Sequence, residues 1–128
     1  MSDLYKRLPQ ETSSLVFADR ESEVAREFIP DEPTEEIMEN VLRAREATAR
    51  VGWNPYLCNP KLRSRLYRVK TPTLILWGES DRLIPHRHGI VYSEEITGAK
   101  LIGISDCVHA PPFEKPEETA HFLEDFLD

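Results

Sequence analysis

Residues 72–85 read PTLILWGESDRLIP, and this stretch decides the fold class. Residues 73–77 form a continuous apolar run without polar alternation, which is typical of a parallel strand buried on both faces. A polar turn carrying Asp81 follows, and Pro85 then begins a stretch with apolar residues at helical spacing. The pattern predicts a strand, an acidic turn and a crossover helix.

The same order returns downstream, where a second strand is predicted over residues 100–104 and a helix begins at Pro116. A right-handed crossover places two such parallel strands side by side. Asp81 follows the end of the first strand and His109 follows the end of the second. Catalytic groups in open α/β sheets collect outside these carboxyl ends, so we expect the two side chains to lie within or near hydrogen-bond reach. The last helix has an apolar stripe of Ala120, Leu123 and Leu127, with Phe122 and Phe126 beside it.

The first 68 residues differ from this part, because their apolar periods are helical and no strong strand pattern appears. Thr34 can cap a long helix, and a shorter amphipathic piece spans residues 22–28. A third short helix is expected to turn Leu62 and Leu66 to the same side. Apolar residues at helical spacing in the long helix are Ile37, Met38, Val41, Leu42 and Ala49.

Residues 72–85 resemble the acid-bearing strand and turn of α/β-hydrolases. Residues 109–117, HAPPFEKPE, resemble the catalytic histidine turn and the last helix of that family, and the similarity runs over residues 70–128. The resemblance implies that Asp81 is the acid of a Ser-His-Asp triad, holding the imidazole in one tautomer, and that His109 is the general base. Acid before histidine is also the chain order of the family.

The resemblance further implies an α/β class with a partial α/β-hydrolase fold. Residues 1–68 are then a helical lid or cap-like segment, expected to pack as a layer near the strand ends. Residues 69–128 are the C-terminal β-α-β-α part of the core, with parallel strands. Glu114 is expected to order the histidine turn rather than react. Most relatives carry glycine immediately before the histidine, whereas this chain has Val108, whose branched side chain resists a positive φ.

The nucleophile of this family sits in a G-x-S-x-G elbow, and an oxyanion loop precedes it. Neither occurs before Asp81. The nearest match, residues 103–107, ends in cysteine and follows the acid, so we interpret Ser105 as a residue other than the nucleophile.

Two hypotheses about function follow from the missing elbow. In the first, the chain is the C-terminal part of a serine hydrolase acting on esters or on C–C bonds of diketone-like ring-cleavage products, and it is inactive alone. In the second, it is a non-catalytic interaction module or one half of a split hydrolase. Parents with an aspartate nucleophile, such as epoxide hydrolases and dehalogenases, stay open.

Composition restricts the partners. The chain is 40% apolar and 30% charged, as in globular proteins, and its formal charge of -7 argues against nucleic acid and anionic lipid. No apolar run approaches the roughly 18 residues of a membrane span. The first residues lack the features of a secretory signal, which favours a cytoplasmic location. Two parallel strands leave apolar faces uncovered, so we expect self-association or a complementary N-terminal half.

Metal and cofactor sites are not indicated. Cys58 and Cys107 lie far apart without a CxxC motif, and we interpret them as reduced thiols. His86 and His88 lie two residues apart, but no carboxylate or cysteine completes a ligand set. We therefore expect no metal and no organic cofactor.

Overall fold

The computed structural model of the protein describes residues 9–52 and 58–128. The helices are α1 (Pro9–Val16), α2 (Glu23–Phe28), α3 (Glu35–Gly52), α4 (Arg87–Glu95), α5 (Pro111–Glu114) and α6 (Pro116–Leu127), with a 3₁₀ helix at Arg63–Arg68. The strands are β1 (Leu74–Gly78) and β2 (Lys100–Ile104). Residues 1–8 and 53–57 of the predicted lid segment lie outside the described residues, and the division at residue 68 stays a prediction.

The two strands form a parallel pair, with Leu74 opposite Lys100 and Gly78 opposite Ile104. Helix α4 makes the crossover and packs against both strands. The α/β class and the parallel strands are therefore confirmed. The side chains of β1 before Gly78 are only half-buried, because β2 is the one strand paired with β1 within the described part of the chain.

The largest fully buried side chains among the described residues lie where β2 leads into the loop that carries His109. Ile104 and Cys107 are 0% exposed and Val108 is 1% exposed. The end of β1 approaches this loop so closely that a Cβ atom on Gly78 would lie 1.9 Å from the carbonyl oxygen of Val108. Only glycine fits this position without a backbone shift, and the close approach brings the ends of both strands together.

Polar caps begin two of the predicted helices. The Ser22 hydroxyl accepts from the Ala25 N–H at 3.3 Å at the start of α2, and the Thr34 hydroxyl accepts from the Ile37 N–H at 3.3 Å at the start of α3. Both helices agree with the sequence patterns. The apolar side chains of α3 are exposed, at 37% for Ile37, 43% for Met38, 39% for Val41 and 58% for Leu42. The packed lid layer therefore stays a prediction.

The short helix before β1 differs from its prediction. Leu66 is buried at 6% exposure, but Leu62 is 40% exposed. The segment Arg63–Arg68 is a 3₁₀ helix, which has three residues per turn, so positions four apart do not share a side. The expectation that both leucines turn the same way is wrong for this reason.

Helix α6 begins at Pro116 as predicted, but its packed side is rotated from the stripe that stands out in the sequence. Leu123 is 44% exposed and Leu127 is 80% exposed. Thr119 is buried at 5% exposure, and Phe122 and Phe126 are half-buried. The aromatic side chains and Thr119, rather than the leucines, therefore face the protein.

Candidate active site

The loop after β1 presents the Asp81 carboxylate to the histidine loop. Asp81 Oδ1 accepts from the main-chain N–H groups of Leu83 and Ile84, both at 2.8 Å. This Asx-type turn fixes the carboxylate and leaves Oδ2 for another donor. The Asp81 side chain is only 4% exposed, so its charge depends on these hydrogen bonds in place of water.

The imidazole of His109 completes the set of bonds to Asp81. Its Nδ1 atom lies 2.9 Å from Asp81 Oδ2, and its side chain is 32% exposed. When Nδ1 donates to a carboxylate, Nε2 carries the lone pair and is the basic nitrogen. The arrangement can therefore take up a proton at Nε2 and stabilise the resulting imidazolium through the Asp81 carboxylate. The predicted meeting of the two side chains at the ends of adjacent parallel strands agrees with this geometry.

Glu114 lies in the turn that follows His109 and binds the main chain on both sides of it. Its Oε1 atom accepts from the N–H groups of Val108 at 3.0 Å and Ala110 at 3.1 Å. The same oxygen lies 3.5 Å from the Cys107 thiol. Burial raises the pKa of Cys107 to about 12, and the neighbouring Glu114 carboxylate adds to this rise.

The backbone of the histidine loop accommodates Val108 without a positive φ there. Among the described residues other than glycine, a positive φ occurs at Asp106 alone, with φ 51°. Aspartate tolerates this region better than a β-branched residue does. The tight turn thus lies two residues earlier than a glycine immediately before His109 would place it, which agrees with the resistance expected of Val108.

The Ser105 hydroxyl forms a hydrogen bond with Glu79 and not with His109. It donates its single proton to Glu79 Oε2 at 3.0 Å rather than to His109. The residue follows β2 and is exposed. This contact supports the sequence interpretation that Ser105 does not act as the nucleophile.

The two other candidate histidines occupy the start of α4. His86 is its N-cap residue, and His88 is exposed in its first turn. His86 Nε2 is buried without a hydrogen-bond partner. Over residues 9–52 and 58–128, no group of three or more histidine, cysteine, aspartate or glutamate side chains is placed to hold a metal ion. None of the helices in those same ranges is both long and apolar enough to cross a membrane.

Helix α1 contributes to the site through a contact that was not predicted from the sequence. The main-chain N–H of His109 donates to the carbonyl of Val16, the last residue of α1, at 3.0 Å. No periodicity or motif marks Val16, because the contact joins a helix end to a loop far along the chain. A cleft of about 270 Å³ lies near this contact, and its apolar lining includes Phe17, Val24 and Phe113.

Comparison with known proteins adds relatives for part of the chain. No protein-family model matches the sequence. A 63-residue segment is 38% identical to the 2-hydroxy-6-oxo-6-phenylhexa-2,4-dienoate hydrolase of Comamonas testosteroni, covering 49% of this chain and 22% of that enzyme. A 66-residue segment is 29% identical to the monoacylglycerol lipase ABHD6 of Rattus norvegicus, covering 52% of this chain and 20% of that lipase. The match therefore spans less than a quarter of each relative.

A solved structure extends the similarity over almost the whole chain. The crystal structure of a membrane phospholipase A superposes with a TM-score of 0.63 and 25% sequence identity. The superposition covers 95% of this chain and 38% of the phospholipase chain. The helices before β1 and the strand pair thus have counterparts in one larger hydrolase fold.

Proposed function

Because the chain belongs to the α/β-hydrolase fold family, we propose that it supplies the acid and the histidine of a hydrolase that acts on esters or on C–C bonds. Asp81 is the acid and His109 is the general base. The observation that carries the proposal is the 2.9 Å contact between His109 Nδ1 and a buried Asp81 carboxylate. In this proposal the nucleophile is supplied from outside these 128 residues, in which no G-x-S-x-G elbow occurs.

In this proposal each residue has one chemical task. His109 Nε2 takes the proton of the nucleophile as its oxygen attacks the substrate carbonyl, and then gives that proton to the leaving group. Asp81 keeps the Nδ1–H tautomer and stabilises the imidazolium between these steps. The 128 residues hold the base but no elbow, so the isolated chain is inactive. If the nucleophile is an aspartate, His109 instead activates the water that attacks the ester intermediate.

The substrate class in the proposal follows the activities by which the similar proteins are named. They comprise a monoacylglycerol lipase, a phospholipase A and a hydrolase of a hydroxy-oxo-dienoate. All three names fit attack on a carbonyl carbon, which requires a base at the position of His109. We further propose that residues 1–68 act as a lid that shapes the substrate pocket. The cytoplasmic location stays a prediction.

The proposal is tested in a chimera that joins residues 69–128 to the nucleophile-bearing part of a related hydrolase. Residues 69–128 replace the corresponding segment of the Comamonas testosteroni hydrolase, and hydrolysis of an activated ester is measured in the folded chimera. We expect turnover that is abolished by His109→Ala and unchanged by His121→Ala, because His121 is an exposed histidine on α6. A folded chimera that is inactive, or one that keeps full turnover with His109→Ala, would contradict the assignment.

The isolated chain provides the complementary measurement. We expect no burst of product from an activated ester and no covalent labelling by a fluorophosphonate, because His109 activates only a hydroxyl held beside it. Labelling that maps to Ser105 and disappears with Ser105→Ala would identify a nucleophile within the chain and refute the present interpretation of Ser105.

A second candidate function, an interaction module, is favoured by the exposed apolar face of α3. Contiguous apolar surface of this kind often marks a protein interface. The module would bind a second copy of the chain or a complementary N-terminal half. Sedimentation velocity tests self-association: Val41→Lys with Leu42→Lys is expected to convert a dimer to a monomer. A monomeric parent chain would contradict self-association.

A further inference from the structure

The C-terminal end of α1 accepts hydrogen bonds from both loops that carry Asp81 and His109. The last four carbonyl groups of a helix lack partners within that helix. In α1, the Ser14 carbonyl accepts from Arg82 Nη1 at 2.9 Å, and the Val16 carbonyl accepts from the His109 N–H at 3.0 Å. Arg82 directly follows Asp81. One helix end is therefore held by the acid loop and by the histidine loop at once.

The Glu114 carboxylate joins the same two segments through its second oxygen. Oε2 accepts from the main-chain N–H of Ala18 at 2.6 Å, across 96 positions of sequence. Oε1 accepts from Val108 and Ala110, which flank His109. A single carboxylate thus bridges the segment after α1 and the backbone on either side of the histidine. Hydrogen bonds to a charged acceptor are stronger than neutral ones, so this bridge is a firm polar link between the segments.

Aromatic packing joins these segments as well. Phe17 lies between the bonded residues Val16 and Ala18 and is 2% exposed. Its ring centroid lies 6.2 Å from that of Phe28, which in turn lies 4.4 Å from that of Phe113. Phe113 immediately precedes Glu114, so apolar and polar contacts hold the same pair of segments.

We propose that, beyond ordering the histidine turn, the Glu114 carboxylate couples this turn to residues 14–18, so that the two segments move as one body and together position His109. The proposal rests on the proposed function, in which His109 is the base. With the N–H groups on both sides of His109 bound to Glu114, the backbone of residues 108–110 cannot rotate independently. The imidazole then keeps its Nδ1 atom on Asp81 Oδ2. Without the carboxylate, the loop separates from Ala18 and the ring leaves the aspartate for part of the time.

Nuclear magnetic resonance of the complete chain tests both parts of the proposal. Ring ¹⁵N shifts report the tautomer of His109, and amide hydrogen exchange reports the bonds to Glu114. In Glu114→Gln the single amide oxygen can serve Ala18 or the pair Val108 and Ala110, but not both. We expect these three amides to exchange roughly tenfold faster or more, together, and the Nδ1–H signature of His109 to weaken.

Two comparison variants separate positioning from a general loss of stability. Glu117→Gln removes an exposed carboxylate in the first turn of α6 and is expected to leave His109 and the three amides unchanged. Thr119→Val removes the buried hydrogen bond from the Thr119 hydroxyl to the Pro111 carbonyl, 3.1 Å long, and lowers stability without touching Glu114. An equal loss of the His109 signature in Thr119→Val would overturn the positioning role.

The unmodified chain provides a readout that does not depend on how the variants fold. If the bridge makes one body, the amides of Ala18, Val108 and Ala110 open with the same free energy and the same denaturant dependence. Ala18 exchanging independently of the other two would overturn the coupling. The proposed function has a separate test, in which turnover retained by the His109→Ala chimera would refute it. That result would not change the exchange rates of these three amides.

Discussion

The two cysteines are expected to differ greatly in reactivity, because only one is buried against a carboxylate. Cys58 is exposed, whereas Cys107 is 0% exposed and lies 3.5 Å from Glu114 Oε1. Burial, assisted by that carboxylate, raises the pKa of Cys107 from 9.0 to about 12. Since the thiolate is the nucleophile, a rise of about three units lowers its concentration at pH 8 about a thousandfold.

A thiol-specific disulfide reagent measures this difference. At pH 8 we expect about one thiol per chain, that of Cys58, to react quickly. In the folded chain Cys107 should react about a thousandfold more slowly than an ordinary thiol, and it should become reactive when the chain is unfolded. Cys58→Ser should remove the fast phase. Glu114→Gln should lower the pKa of Cys107 only in part, because burial is the larger cause of its rise. Rapid labelling of Cys107 in the folded chain would refute the burial argument.

The same pKa implies a loss of stability at high pH. The Cys107 thiol ionises near pH 9 in the unfolded chain but near pH 12 in the folded chain, so between these values the unfolded chain binds fewer protons. The stabilising contribution is complete below about pH 9 and falls by about 1 kcal/mol per pH unit as the pH rises toward 12. Urea unfolding at pH 8 and pH 10 should show this slope in the parent chain and its loss in Cys107→Ala. An identical slope in both chains would refute the assignment.

Three further substitutions have outcomes set by the geometry. Gly78→Ala places a Cβ atom 1.9 Å from the Val108 carbonyl oxygen and should lower the free energy of unfolding by about 3 kcal/mol or more, measured by urea denaturation. In Gly98→Ala the added Cβ atom meets no atom within 4 Å, but the residue keeps a φ of +80°. This variant should therefore lower the free energy of unfolding by only about 1 kcal/mol. An equal loss in both glycine variants would contradict the close approach of Gly78 to Val108. Asp81→Asn can keep the two amide bonds but places an NH₂ group opposite His109, which should convert the imidazole to the Nε2–H tautomer, seen in its ring ¹⁵N shifts. An unchanged tautomer in that variant would show that Asp81 does not orient the ring.

The parts of the fold that follow local rules could be read from the sequence. A continuous apolar run, a turn and a helical period predict β1, the acid loop and α4, because these features depend on neighbouring residues. The meeting of Asp81 and His109 could also be predicted, since the handedness of a crossover leaves one arrangement for two parallel strands. Thr34 marked the start of the long helix because capping is a local hydrogen bond.

Other features were decided only by tertiary contacts. Which side of α6 packs depends on the surfaces it meets, so Thr119 is buried while Leu127 is 80% exposed. The apolar face of α3 is strongly periodic, yet periodicity alone does not supply a partner surface. The bond from Ala18 to Glu114 joins positions 96 residues apart, and neither residue carries a local pattern that selects the other. The sequence by itself therefore determined the strands, their order and the meeting of Asp81 with His109. Tertiary structure decided which main-chain groups hold that pair in place, because those hydrogen bonds exist only when distant segments are brought together.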